Sequence, residues 1–103
     1  MEGVYFKWDE EKNKLLKRER RVSFEDVVVA LQGEGLVDII SSPGRNRKNQ
    51  ESFVVEIGGT IYIVPFVESE GEVFLKTIYL SRKHKKIYSE RTNEVGPRDL
   101  HRE

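Results

Sequence analysis

Ser52-Phe53-Val54-Val55-Glu56-Ile57-Gly58-Gly59-Thr60-Ile61-Tyr62-Ile63-Val64-Pro65-Phe66-Val67 is the stretch whose reading decides the fold. Two runs rich in Val, Ile and Phe, residues 52–57 and 60–67, flank a Gly-Gly pair. Such residues suit the pleated, half-buried surface of a strand. Two glycines between them accept positive φ at both central positions of a tight turn, so the pattern predicts a β-hairpin. Pro65 lacks an N–H, which predicts locally unpaired backbone near the end of the second strand.

Working outward, Glu68–Glu72 reads as an acidic turn and Val73–Leu80 as a fourth main strand. Ser81 is placed to cap a short basic helix from Arg82 to about Ser89. The last dozen residues, with Gly96 and Pro97, read as a frayed tail. In the other direction, Leu36–Ile40 is a strand. The polar segment 41–50, with Pro43 and Gly44, is a loop.

Two helices precede these strands. Val22-Ser23-Phe24-Glu25-Asp26-Val27 carries a capping box, Ser23 with Asp26 three positions on, and a hydrophobic staple of Val22 with Val27. Phe24, Val27, Val28 and Leu31 follow at helical spacing, and Gly33 and Gly35 stop the helix. Before it, Asp9 to Arg20 holds no Gly or Pro, with acids at its start and cations at its end, as the helix macrodipole prefers. Its apolar content is essentially Leu15 and Leu16, so this helix must lean on the rest of the domain. Val4–Trp8 alternates as a short strand.

The order is β-α-α-β-β-β-β-α. It predicts an α+β fold: an antiparallel sheet of about four main strands, two N-terminal helices on one face, and a short C-terminal helix. Residues 1–92 form one domain and 93–103 a flexible tail. The 103 residues are 37% hydrophobic and 35% charged, polar for a globular protein but too rich in Val, Ile, Leu and Phe for disorder. No cysteine is present, no apolar run is long enough to span a bilayer, and the N-terminus has no apolar signal region. These features predict a soluble cytoplasmic protein that does not engage a membrane.

Eighteen Lys and Arg balance 18 Asp and Glu, yet the positive charge is clustered. Lys12, Lys14, Lys17, Arg18, Arg20 and Arg21 lie in residues 12–21. Arg45, Arg47 and Lys48 lie in 44–50, and Arg82, Lys83, Lys85 and Lys86 in 82–86. Glu19 is the one acid among them. Brought together, these segments make a phosphate-binding surface. Arg offers planar bidentate recognition, and Tyr5, Phe6, Trp8 and Tyr88 could stack on bases. The plainer alternatives are a solvated helix face for Lys14 and Lys17 and a core position for Phe24. With two histidines, no cysteine and no ligand spacing of carboxylates, the chain predicts no metal site and no cofactor. Gly58-Gly59 joins strand to strand, so it is not a phosphate loop. No nucleophile elbow supports a Ser–His–Asp triad.

Phe6-Lys7-Trp8-Asp9-Glu10-Glu11-Lys12-Asn13, then Val22-Ser23-Phe24-Glu25-Asp26, then Ser81-Arg82-Lys83, resemble the BrnT-like toxins of bacterial type II toxin–antitoxin systems. There a "WDxxKN" head leads into "HGVSFE", and a late strand runs into "SARK". Residues 6–90 follow that order with compatible spacing. Two departures stand out: Arg20-Arg21 occupy the place of His-Gly, and the Ala between Ser81 and Arg82 is missing.

The resemblance implies a RelE-like fold and a metal-independent ribonuclease that slows translation. It also implies a cognate antitoxin, commonly with a ribbon-helix-helix part, through which alone DNA would be engaged. For cleavage by attack of a 2′-OH on the adjacent phosphate, Arg20 and Arg82 would stabilise the phosphate. Lys83 or Lys12 would assist as cation or proton-transfer group, Glu25 would act as base or orient an Arg, and Tyr88 would stack or move a proton. Arg21, Arg45, Arg47, Lys48, Lys85 and Lys86 would bind the RNA. The missing histidine favours an alternative, a non-catalytic module that binds RNA or antitoxin on a toxin-like scaffold.

Overall fold

Gly58 and Gly59 have φ of 60° and 85°, the backbone that a two-residue turn with the twist of its flanking strands demands. A computed structural model of the chain describes residues 3–43 and 49–81. The turn joins β3 (Asn49–Ile57) to β4 (Thr60–Ser69), and the pair runs in register from Ile57 opposite Thr60 to Glu51 opposite Phe66. The side chain of Glu56 accepts from the Gly59 N–H at 2.6 Å and braces the turn.

The remaining described elements are β1 (Tyr5–Lys7), α1 (Glu10–Arg20), α2 (Phe24–Gln32), β2 (Leu36–Pro43), β5 (Glu72–Leu75) and β6 (Tyr79–Leu80). The sheet order is β1-β5-β4-β3-β2, with β6 also on β4. This is an α+β fold of two helices and a mixed six-stranded sheet. It differs from the expected four-stranded antiparallel sheet in three places, each with a physical cause.

First, the strand expected over 73–80 is two strands. β5 pairs with β4 from Phe66 to Ser69, and β6 pairs with it at Tyr62 and Ile63. Between them the Lys76 N–H donates to the Pro65 carbonyl at 2.8 Å. A strand residue turns its N–H and C=O toward the same neighbour. The missing Pro65 N–H therefore faces this partner, and the ladder breaks there.

Second, the segment expected as a loop over 41–50 is partly strand. β2 runs on to Pro43, opposite Asn49. β2 is an edge strand, where polar residues and a proline are tolerated without loss of the inner ladder.

Third, β1 lies parallel to β5, with Tyr5, Phe6 and Lys7 opposite Glu72, Val73 and Phe74. A three-residue strand shows no pairing preference in its sequence. Its place is set by long-range bonds, including the Tyr5 N–H to the Gly71 carbonyl at 3.0 Å and the Lys7–Glu72 ion pair at 3.1 Å. The expected C-terminal helix over 82–89 and the tail over 93–103 lie outside the described residues.

Both helices sit on one face of the sheet. Leu16 of α1, Val22, and Phe24, Val27 and Leu31 of α2 are buried against Phe53, Val55, Val64, Phe66, Val73, Leu75 and Ile78. Burying one such side chain contributes about 1.5–3 kcal/mol, so this layer dominates the folding energy. Alternation sends Val54, Ile61 and Ile63 to the opposite face, where Val37 and Ile40 pack against them.

Candidate functional site

The residues of the two N-terminal motifs form one joint between α1 and α2. Asp9 caps α1 by accepting from the Glu11 N–H at 3.0 Å. Ser23 caps α2: its hydroxyl accepts from the Asp26 N–H at 3.1 Å, and Asp26 accepts from the Ser23 N–H at 3.0 Å. This is the capping box expected from the sequence, and its two staple residues, Val22 and Val27, both lie in the main core. Trp8 stacks on Phe24 with ring centroids 5.6 Å apart and donates its indole N–H to Glu10 at 3.0 Å.

Asn13 locks the joint. It is 0% exposed, its Oδ1 accepts from the Phe24 N–H at 2.8 Å, and its Nδ2 donates to Glu25 Oε1 at 2.9 Å. One amide thus satisfies a free N–H at the start of α2 and orients a carboxylate. Sequence reasoning placed Asn13 in a motif without a role. The available signal was an Asn in mid-helix, one turn before Leu16, on the face that must be buried.

Glu25 was expected to serve as base or to orient an Arg. Its carboxylate instead holds Asn13, with Lys17 Nζ at 3.8 Å. The Asn13 hydrogen bond, opposed by partial burial and aided by the backbone N–H of Glu25, the Lys17 charge and the Ser23 hydroxyl, holds the Glu25 carboxyl below the ordinary carboxylate range. A carboxylate so stabilised is a poor proton acceptor near neutral pH and a good anchor for a cation.

The basic end of α1 stands beside this joint. Arg20 follows Asn13 and Leu16 at helical spacing, so it continues the face that α1 turns toward the domain, and it is exposed. Lys14, Lys17 and Arg18 form an exposed stripe at i, i+3, i+4. Lys12 is half-buried. Arg21 ends the helix in the left-handed region, φ 57° and ψ 32°, and is exposed. Glycine takes that conformation freely and arginine does not, so the guanidinium is kept there at a local cost of about 1 kcal/mol. A shallow cleft of about 380 Å³ lies between Lys17, Arg21 and the Val22-Ser23 start of α2, with Asp26 on its rim. Among the described residues, no carboxylate pairs with Arg18, Arg20 or Arg21.

The aromatic residues divide. Phe24 is core, Phe6 and Trp8 pack against the core, and Tyr5 is exposed. Of the expected site, Arg20, Glu25, Lys12 and Arg21 are brought to α1 and its junction with α2. Arg82, Lys83, Tyr88, Arg45, Arg47, Lys48, Lys85 and Lys86 lie outside the described residues. Ser81 is within them, and its N–H extends the β6–β4 ladder by donating to the Ile61 carbonyl at 3.1 Å.

Among the described residues, no group of three or more His, Cys, Asp and Glu is placed to hold a metal ion, and no helix is long and apolar enough to cross a membrane. No family model matches the chain, and no curated protein matches it.

Proposed function

We propose that this chain is an RNA-directed toxin of the BrnT-like, RelE-like kind, a ribonuclease that needs no metal and is held in check by a cognate antitoxin. The observation that carries the reading is the α1–α2 joint. Two stretches quoted for the resemblance, Phe6 to Asn13 and Val22 to Asp26, lead into consecutive helices and join in space through Trp8–Phe24 and Asn13–Phe24–Glu25. The two stretches thus form one packed unit. The order of two helices before an antiparallel hairpin supports the same reading.

In this reading the joint is a scaffold and the chemistry belongs to the cations around it. Arg20 extends from the end of the face that Asn13 anchors, unpaired among the described residues, and serves as a phosphate ligand. Arg82 and Lys83, which follow Ser81 at the end of β6, supply the remaining positive charge. A 2′-OH attack on the neighbouring phosphate needs in-line geometry and stabilisation of the equatorial oxygens, which fixed guanidinium groups provide.

The test is incubation of the purified chain with a defined RNA in the presence of a chelator. Cleavage is expected, and Arg20→Ala and Arg82→Ala are each expected to lower its rate by about 100- to 1,000-fold. Wild-type rates in both variants would remove these residues from the site.

The state of Glu25 favours a second reading. With this carboxylate bonded to Asn13 and held below the ordinary carboxylate range, Glu25 suits a module that binds RNA or antitoxin without cutting. Salt-sensitive RNA binding with no cleavage would identify that module.

A further inference from the structure

A groove runs between α2 and the end of the β3–β4 hairpin, and the RNA reading has no use for it. Asp26, Val29 and Ala30 line one side at i, i+3, i+4, a face of α2 distinct from the one that Phe24, Val27 and Leu31 bury. Glu34 in the α2–β2 connection and the Glu56-Ile57 end of β3 complete the lining. The groove is open, with a volume of about 630 Å³.

Val29, Ala30 and Ile57 supply its apolar surface. Val29 is 70% exposed, while Ile57 and Ala30 are half-buried beside it. Gly35 sets the width. A Cβ at this position would meet Ala30 Cβ at 2.7 Å and the Glu56 carbonyl at 2.8 Å, so a glycine lets α2 and β3 approach. The Glu56 N–H donates to the Gly35 carbonyl at 2.8 Å and stitches the two sides together.

The groove's charged side chains among the described residues are Asp26, Glu34 and Glu56, of which Asp26 also borders the cleft of Lys17 and Arg21. Asp26 and Glu56 each commit one carboxylate oxygen to a backbone N–H, of Ser23 and Gly59 respectively, which orients the carboxylate and leaves the other oxygen available. Among the described residues, no Lys or Arg lines the groove. Residues 22–43 contain four acids and residues 49–75 contain five, with no Lys or Arg in either stretch. Acidic side chains at the groove attract cationic groups.

We infer that the groove docks a cationic segment of a protein partner. One apolar side chain of that segment rests on Val29, Ala30 and Ile57, and its Lys or Arg residues meet Asp26, Glu34 and Glu56. Charge selects the partner and the apolar surface separates a peptide from a simple polycation. The inference does not rest on RNA cleavage, because the groove keeps its shape and sign whether or not the chain cuts RNA.

The full ¹⁵N-labelled chain is titrated with a short synthetic Lys/Leu peptide, with its Glu/Leu counterpart, and with spermidine. The Lys/Leu peptide is expected to shift the amides of Val29, Ala30, Gly35 and Ile57, with weakening by salt. The exposed substitutions Glu34→Lys and Val29→Ser are each expected to weaken binding by about tenfold or more. Shifts centred elsewhere, equal binding of the Glu/Leu peptide, unchanged affinity in both variants, or the same shifts from spermidine would each overturn the proposal.

Discussion

Asn13 is the residue on which the most depends for its size. Its replacement by Leu leaves the Phe24 N–H unsatisfied in the core and frees Glu25, at an expected cost of about 1–3 kcal/mol. A lower urea midpoint with an unchanged m-value would register it. Glu25 adds a pH dependence. Its native carboxyl titrates lower than in the unfolded chain, so the unfolded state binds more protons in acid. Its contribution to stability is complete above pH 4.5, the ordinary value, and is lost as the pH falls through the lowered native value. Glu25→Gln is expected to flatten that part of the stability–pH curve, as read by denaturation at pH 7 and below pH 4. Arg21 runs the other way. Arg21→Gly relieves a left-handed arginine and is expected to raise stability by roughly 0.5–1 kcal/mol while weakening RNA binding. A stabler variant with undiminished RNA affinity would show that the cation at this position has no part in binding. At this scale the capping box of Ser23 and Asp26 was legible, because its partners are three residues apart. The roles of Asn13 and Glu25 were not, because their contact spans a helix–helix turn that local spacing does not encode.

Elements were legible where their signal is local. The two helices, the Gly58-Gly59 turn and the hairpin around it follow from periodicity and turn chemistry. The misplaced boundaries share one cause, since each depends on what lies across the sheet. Pro65 marked a gap in its own strand, but the gap is realised in the partner, which divides into β5 and β6. β2 continues through polar residues because an edge strand has one side free of the ladder. β1 finds its parallel place beside β5 through neighbours more than sixty residues away in sequence. Gly35 is the clearest joint between elements. Gly35→Ala forces a Cβ against the Ala30 side chain and the Glu56 backbone, and the expected overpacking cost is about 1–3 kcal/mol. Thermal unfolding of this variant, compared with Gly58→Ala in the turn, separates close packing from backbone strain.

Across the whole molecule, zero net charge conceals a division of sign. α1 carries cations at its end, while the rest of the described sheet and α2 are acidic apart from Lys7 and Lys76. In the proposed reading the basic end of α1 meets phosphate and the acidic groove meets a cationic segment. The cations at the end of α1 are plain in the sequence, and the other two basic segments lie outside the described residues. Sequence did not anticipate that the motif residues would be the scaffold behind them, since only the fold shows Trp8, Asn13, Phe24 and Glu25 to be mutually engaged. The central claim, that this scaffold presents arginines to cut RNA, is tested most directly by gel analysis of a defined RNA incubated with the purified wild-type chain and excess EDTA. The account predicts discrete cleavage products that are lost with Arg20→Ala. Intact RNA after incubation with a chain that still binds it in a salt-sensitive way would contradict the claim.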